Sequence, residues 1–168
     1  MAEIILPATF LLPDINPEPW TAPMVGKGYA HKRPKLRAYQ EAIKSLWDER
    51  HPGLEPVAKG TPLELTFLFS RSTQEGKPAD ATNLAKALED ALQGKLYVND
   101  RDNKRVISTV MEQGPRVERV GIVIAVRPFE LTAMERDLYT RHWGVYEDLK
   151  TKDVPPIWRP DYNPNDDF

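Results

Sequence analysis

Residues 80–94 limit the possible folds of this chain most narrowly, because their apolar side chains recur at helical spacing. Five of them lie at i, i+3, i+4, i+7 and i+8, which places them on one helix face: Leu84, Ala87, Leu88, Ala91 and Leu92. Asp80 precedes this run and Gly94 follows it, and these residue types commonly begin and end helices. We therefore predict a helix over residues 80–94 that packs one face against a core.

Hydrophobic periodicity predicts further elements on both sides of this helix. Strands are predicted over residues 3–12, 62–71, 104–112 and 119–126, and helices over residues 35–50 and 131–150. The order strand, helix, strand, helix, strand, strand is typical of an α/β (α+β) sandwich in which helices pack on a mixed β-sheet. The last two strands flank a turn at Gly114 and Pro115, so an antiparallel hairpin is predicted for them.

The chain is predicted to divide near residue 130. Residues 1–129 have the length and pattern of one domain, with a proline- and glycine-rich loop over residues 13–35. After this domain, Thr132 and Glu135 match the capping box of the predicted C-terminal helix. Four prolines and three aspartates follow over residues 154–168, so residues 130–168 are expected to form a C-terminal helix and a flexible acidic tail.

Composition excludes several kinds of function. No cysteine is present, so the chain forms no disulfide, offers no thiolate nucleophile and has no cysteine-bearing metal site. The first residues lack the layout of a signal peptide, and no apolar run approaches the roughly 20 residues that span a bilayer. We expect a cytoplasmic protein with no membrane partner. The histidines show no metal-ligand spacing and are expected to be structural or exposed: His31, His51 and His142.

Charge is distributed unevenly along the chain. The net charge of −2 divides into +2 over residues 1–129 (18 Lys and Arg, 16 Asp and Glu) and −4 over residues 130–168 (5 and 9). One stretch before the first helix has five basic residues and no acid: Lys27, Lys32, Arg33, Lys35 and Arg37. Such a stretch neutralises DNA phosphates or forms an ordinary solvated loop, and the pattern alone leaves both readings open.

Acidic residues concentrate around the helix predicted over residues 80–94. Four aspartates and one lysine fall within residues 80–102: Asp80, Asp90, Asp100, Asp102 and Lys86. Carboxylates hold Mg²⁺, and a nearby lysine stabilises the charge that develops on a phosphate during phosphodiester cleavage. Helical geometry places Asn83, Lys86 and Asp90 on one stripe. The alternative is structural, with Asp80 as an N-cap and Lys86 with Asp90 as an ordinary i,i+4 ion pair.

A set of fixed spacings in this region resembles the signature of the RusA family of Holliday junction resolvases. The matching residues are Asp80-Ala81-Thr82-Asn83-Leu84-Ala85-Lys86, then Asp90-Ala91-Leu92, then Gly94, then Tyr97-Val98-Asn99-Asp100. The family pattern is an Asp-x-Asp-Asn-Leu-x-Lys run, an Asp-Ala-Leu in the same helix, a glycine, and an Asp-Asp-x-Gln run that enters a strand. The order of elements extends the resemblance over residues 1–129.

The resemblance implies an activity and a set of catalytic residues. RusA proteins are homodimers that bind four-way junctions and nick two strands with Mg²⁺, and Mn²⁺ is a possible substitute. By position, the resemblance implies Asp80 and Asp100 as metal ligands and Lys86 as a catalytic residue. Asn83 matches the framework of the helix start. Family members are common in phages and prophages, so the expected setting is the cytoplasm of a bacterial cell or phage-infected host.

The resemblance also implies where DNA is contacted. RusA-like proteins carry a polar and basic segment before the first helix that meets DNA. The residues here that match this role only by location are Tyr29, His31, Lys27, Lys32, Arg33 and Lys35. Asn83 and Lys86 complete the candidate nucleic-acid-binding set because they lie beside the implied metal ligands.

Two residues depart from the family pattern. Thr82 stands where the pattern has its second aspartate, and Asn99 stands where the later pair has its first. Neither side chain carries charge, and the loss of carboxylates weakens a Mg²⁺ site. Asp90 or Asp102 is a candidate replacement ligand, so the site is either rebuilt or decayed, and we favour a rebuilt site.

Three functions follow from these observations. The favoured one is a Mg²⁺-dependent, structure-selective endonuclease that resolves Holliday junctions or other branched DNA during recombination and repair. The second is a catalytically weakened junction-binding protein on the same fold. The third is an interaction module in which aromatic residues of the C-terminal helix and tail dock a partner protein: Trp143, Tyr146, Trp158 and Tyr162. For the helix itself we favour the plainer alternative, in which it packs on its own core or extends the dimer contact.

Overall fold

The computed structural model describes residues 2–21, 24–26, 29–31, 34–73 and 78–149. The chain forms two compact units, Met1–Phe129 and Glu130–Phe168. The strands are β1 (Ala2–Glu3), β2 (Ala8–Pro13), β3 (Met24–Gly26), β4 (Tyr29–His31), β5 (Leu54–Glu55), β6 (Leu63–Ser72), β7 (Asn103–Gly114) and β8 (Gly121–Pro128). The helices are α1 (Pro34–Arg50), α2 (Ala81–Leu92) and α3 (Ala133–Leu149), and a 3-10 turn covers Asp100–Asp102.

The main sheet of the first unit has four strands in the order β2-β8-β6-β7. Strand β6 runs parallel to β7 and antiparallel to β8, and β2 runs antiparallel to β8. Two short pairings accompany this sheet, β1 with β5 and β3 with β4. The predicted α+β architecture with a mixed sheet is therefore confirmed.

The predicted hairpin of the last two strands is wrong, because β6 lies between β7 and β8. Phe67 of β6 pairs with Ser108 of β7 on one side and with Ile124 of β8 on the other. Strand β6 has the most deeply buried apolar run, and a central position gives both of its edges hydrogen-bonded neighbours. The connection from β7 to β8 crosses the end of β6, where Ser70 Oγ donates to the carbonyl of Arg119 at 2.6 Å.

The hydrophobic core lies between one face of the sheet and the helices α1 and α2. The sheet contributes the alternate residues that face the helices, and all are buried: Phe10, Leu12, Leu65, Phe67, Phe69, Ile122, Ile124 and Val126. Helix α2 contributes the whole predicted stripe, and α1 contributes Leu36, Tyr39, Ile43 and Trp47. The prediction that residues 80–94 bury one helix face is confirmed.

The opposite face of the sheet is more open and carries one buried acid. Glu64 is 2% exposed, and its two carboxylate oxygens accept hydrogen bonds from Arg105 of β7 and Arg127 of β8. Arg105 also lies over the ring of Phe129, 5.0 Å from its centroid. This ion triad ties three neighbouring strands together on the face of the sheet opposite α1 and α2.

The described part of the second unit is residues 130–149, which contain the helix α3. Thr132 Oγ1 accepts from the backbone nitrogen of Glu135 at 3.2 Å, and Glu135 Oε2 accepts from the backbone nitrogen of Thr132 at 2.8 Å. These reciprocal bonds form the predicted capping box. The predicted tail and the side chains of Trp143 and Tyr146 lie outside the described residues. Among the helices that the structure describes, none is long and apolar enough to cross a membrane.

Candidate functional site

An acidic cavity of about 410 Å³ lies along the seam between α2 and β7. Its walls combine one stripe of α2 with the 3-10 turn and two residues of β7: Thr82, Ala85, Lys86, Glu89, Asp90, Asp100, Val106 and Ser108. The α2 residues share a stripe because they recur at i, i+3, i+4, i+7 and i+8. This stripe adjoins the buried one, so its polar side chains stand at the edge of the core.

Three carboxylates line this cavity, and they influence one another. Burial raises the pKa of Glu89 above its ordinary value. The hydrogen bond from Asn103 Nδ2 to Glu89 Oε1, 3.1 Å long, lowers this pKa, and the negative charges of Asp100 and Asp90 raise it again. Nearby negative charges disfavour the ionised form of Glu89, so a cation in the cavity would stabilise that form.

Glu89 was missed in the sequence analysis, although its spacing indicates its position. It lies three residues after Lys86 and seven after Thr82, so it belongs to the same helical stripe. Of the residues predicted for this stripe, Lys86 and Asp90 line the cavity, whereas Asn83 does not. The sequence pattern therefore located the stripe but not all of its acids.

The turn that carries Asp100 is held by contacts within the chain. Gly94 has a φ of 78°, and the reversal of the chain that follows brings the buried Tyr97 back to α2, where its hydroxyl donates to the carbonyl of Glu89 at 2.8 Å. Asn99 Oδ1 accepts from the backbone nitrogen of Arg101 at 3.1 Å and so caps the 3-10 turn that begins at Asp100. Asn99, which replaces a family carboxylate, therefore has a structural role.

Asp80 lies at the start of α2 and is the N-cap of that helix. Its Oδ1 accepts from the backbone nitrogen of Asn83 and its Oδ2 from Asn83 Nδ2, both at 2.7 Å. The residue before it is held by β7, because Gln113 Oε1 accepts from the backbone nitrogen of Ala79 at 3.1 Å. Asp80 does not line the acidic cavity, but Thr82, two residues later, does.

Lys86 reaches the cavity rim with its ammonium group over an aromatic ring. The Nζ atom lies 3.8 Å from the centroid of the Trp20 ring, which is a cation–π contact. Trp20 is fixed in turn, because its backbone nitrogen donates to the carbonyl of Asn83 at 2.8 Å. The sequence carries no signal for this contact, since Trp20 lies far from α2 along the chain.

The two candidate replacement ligands differ in location. Asp90 lines the cavity and its Oδ2 accepts from Gln40 Nε2 at 3.3 Å. Asp102 does not line it, and its Oδ2 accepts from the backbone nitrogen of Gly60 at 2.8 Å. Asp102 thus stabilises the loop before β6, and only Asp90 is available to replace a lost carboxylate in the cavity.

The donor set fits a hydrated Mg²⁺ rather than an ion enclosed by protein ligands. Within the described residues, no group of three or more acids or histidines is arranged to hold a metal ion. The cavity nevertheless offers the carboxylates of Glu89, Asp90 and Asp100 and the hydroxyls of Thr82 and Ser108. Mg²⁺ usually keeps several waters and takes one or two carboxylates plus substrate phosphate. The cavity can provide the carboxylates of such a ligand set.

The predicted basic loop is only partly described. Lys27, Lys32 and Arg33 lie outside the described residues, as do the side chains of Tyr29 and His31. Lys35 at the start of α1 is exposed, and its Nζ pairs with Glu18 Oε1 at 2.8 Å. His51 packs against Phe10 and Trp47, which confirms a structural role for that histidine.

The fold and cavity describe a small α+β protein with an acidic site between a helix and a strand, and the family comparison identifies its class. The family model for the endodeoxyribonuclease RusA matches residues 14–126, more than half of the chain. This protein therefore belongs to the RusA endodeoxyribonuclease family, which is a family of nucleases. No curated protein matches the sequence.

Proposed function

We propose that this protein is a Mg²⁺-dependent, structure-selective endonuclease that cuts four-way junctions or other branched DNA. It would act in recombination and repair, in the cytoplasm of a bacterial cell or phage-infected host. The observation that carries the proposal is the acidic cavity between α2 and β7, which lies inside the region that matches the RusA family. Mn²⁺ is expected to substitute for Mg²⁺, because it prefers the same hard oxygen ligands.

In this proposal the acids of the cavity hold the metal. Asp100 and Asp90 are the main ligands, and Glu89 supports them from its more buried position. The chemistry that Mg²⁺ would supply there is positive charge against the phosphate oxygens and a more acidic water. Asp80 lies outside the cavity lining, at the start of α2, and is proposed as a further carboxylate directed at the same ion, with Asn83 fixing its orientation.

Lys86 is proposed as the residue that stabilises charge on the phosphate during cleavage. Its Nζ already stands at the cavity rim, and the ring of Trp20 keeps it there. An ammonium group positioned before the reaction does not need to be reoriented as charge develops.

Cleavage of a synthetic four-way junction tests this function. We expect the wild-type protein to cut the junction with Mg²⁺ and to bind without cutting when Ca²⁺ replaces Mg²⁺. Asp100→Asn should abolish cutting and retain binding in Ca²⁺. Asp48→Asn is the matched control, because Asp48 is an exposed acid that pairs with Lys95. Equal cutting by wild-type protein and Asp100→Asn would refute the proposal.

One observation favours the alternative of a junction-binding protein with weakened catalysis. Thr82 lines the cavity without charge, and the side chain of Asn99 is used as a cap. This alternative predicts junction binding with no cutting in Mg²⁺ or Mn²⁺. The variant Thr82→Asp would then restore cutting, because it adds a carboxylate to the cavity wall, whereas Thr109→Asp on β7, outside the cavity lining, would not.

We also propose that the protein acts as a homodimer, since symmetric nicking of a junction needs two cleavage sites. Sedimentation equilibrium at micromolar concentration would measure the mass of the free protein and of its junction complex. A complex with one copy of the chain per junction would contradict the dimer.

A further inference from the structure

A second and larger cavity, of about 700 Å³, is lined in part by the two residues before Asp80, Pro78 and Ala79. The start of α1, the end of β6 and the residues before α2 enclose it, and its lining includes Glu18, Lys35, Arg71, Ser72, Thr73 and Ala79. Ala79 lines this cavity and Thr82 lines the acidic one. The linings of the two cavities therefore include residues just before and just after Asp80 in the sequence.

The floor of this second cavity contains a buried arginine with unused hydrogen-bonding capacity. Arg71 is only 6% exposed, and its Nε donates to the carbonyl of Pro17 at 2.9 Å. Its Nη1 atom is buried and has no hydrogen-bond partner among the residues that the structure describes. A buried guanidinium nitrogen without a hydrogen-bond partner is costly, and the planar fork of an arginine suits the oxygens of a phosphate.

A second cation and one acid stand at the rim of the same cavity. The side chain of Lys35 is 78% exposed and pairs with the carboxylate of Glu18, which is 16% exposed. Among the described residues that line the cavity, the three charged side chains sum to one positive charge. An incoming phosphate would replace Glu18 as the partner of Lys35 at a small cost in free energy, because exposed ion pairs contribute about 0–1 kcal/mol.

We infer that this cavity binds a DNA backbone phosphate next to the scissile one. The inference rests on the proposed nuclease function and adds a binding subsite to it. A strand that passes over Asp80 would present one phosphate to the acidic cavity and a neighbouring one to Arg71 and Lys35. Contact with this neighbouring phosphate would fix the register of the strand on the protein, because phosphate contacts position a duplex without reading its sequence.

Binding measurements test this subsite with variants that are expected to weaken junction binding and one that is expected to strengthen it. Junction affinity would be measured by fluorescence anisotropy in Ca²⁺ at several salt concentrations. Arg71→Lys keeps the charge but loses the fork and is expected to weaken binding about tenfold. Glu18→Gln removes the competing carboxylate and is expected to strengthen binding, a result that misfolding cannot produce. Lys35→Gln should reduce the slope of log affinity against log salt by about 1.

Lys44→Gln is the matched control for Lys35→Gln, because Lys44 is another α1 lysine paired with a glutamate, and it should leave the slope unchanged. The inference is overturned if folded Arg71→Lys and Glu18→Gln bind as the wild type does. A second result would also overturn it. If inorganic phosphate raises the Tm of the wild type but not of Arg71→Lys, while the two proteins bind the junction equally well, then the cavity binds free phosphate and not DNA. Junction binding that depends on Arg71 without any cutting would instead refute the nuclease and leave the subsite standing.

Discussion

The carboxylate of Asp80 accepts two hydrogen bonds from Asn83, one from its backbone nitrogen and one from Nδ2, each at 2.7 Å. Each oxygen of an ionised carboxylate has a further lone pair available. The N-cap role and the metal-binding role, which the sequence presents as alternatives, are therefore compatible in one side chain. Asn83 acts by holding that carboxylate in one orientation at the start of α2.

Replacement of Asp80 should separate these two roles. Asparagine is as good an N-cap as aspartate, whereas alanine costs about 1 kcal/mol at such a position. We expect Asp80→Asn to keep the Tm and to lose at least about 100-fold in junction cleavage, since metal-ion catalysis contributes several kcal/mol. Asp80→Ala should lower the Tm and also lose junction cleavage. Full cleavage by a folded Asp80→Asn would remove Asp80 from the metal site.

Glu89 links the stability of the protein to its proposed metal site. Burial and the charges of Asp100 and Asp90 hold its pKa above the ordinary value. The ionised side chain therefore destabilises the folded protein above that raised pKa, and the effect is lost as pH falls through the raised pKa towards the unfolded value. We expect metal-free Glu89→Gln to show a higher Tm than the wild type at pH 7, and the difference to vanish in acid.

Glu89→Gln should also weaken the binding of a divalent metal ion, which isothermal titration calorimetry with Mn²⁺ would measure. The glutamine oxygen still accepts from Asn103, so local packing is kept. Gln93→Glu provides a control, because position 93 at the end of α2 is exposed. A lower Tm for Glu89→Gln at pH 7 would contradict the effect assigned to its neighbours.

Gln113 is expected to position Asp80 through the backbone of Ala79. Its side-chain amide both accepts from the nitrogen of Ala79 at 3.1 Å and donates to its carbonyl at 3.5 Å. Loss of a residue that orients a metal ligand commonly costs about 10–100-fold in activity or metal affinity, so Gln113→Ala should reduce cleavage by at least about tenfold. The neighbouring Glu112→Ala should not. Equal rates for the two variants would refute the positioning role.

Glu64 should be important for stability and not for DNA cleavage. It is the buried member of the triad with Arg105 and Arg127. Removing one charge from a buried pair costs about 3–5 kcal/mol, but both arginines are partly exposed, so we expect about 1–3 kcal/mol for Glu64→Gln. Urea denaturation would measure this loss. An unchanged free energy of unfolding, or a selective loss of cleavage in a stable variant, would contradict this assignment.

Local patterns in the sequence predicted the elements around the site well. The apolar stripe of α2 appears as predicted, Asp80 begins the helix, and Gly94 has the positive φ typical of a residue after a helix end. These features depend on residues within a few positions of one another, where the helical repeat and the capping rules apply.

Contacts between distant residues were not predictable in the same way. Strand periodicity identifies β7 and β8 but contains no information on which strand lies between them, so the predicted hairpin was wrong. The contact of Lys86 with Trp20 and that of Gln113 with Ala79 likewise join residues far apart in sequence. These residues come together only in the folded sheet and helices. The orientation of the side chains at the site depends on the same fold.

The acids between α2 and β7 are proposed to share a divalent ion. Anomalous diffraction from a crystal soaked in Mn²⁺ tests this most directly, because it locates the ion without reference to activity. We predict a manganese peak bonded to Asp100 and at least one of Asp90 and Glu89, with waters completing its shell. A peak bonded to none of these three, or no peak in crystals of protein that cuts junctions with Mn²⁺, would contradict the claim.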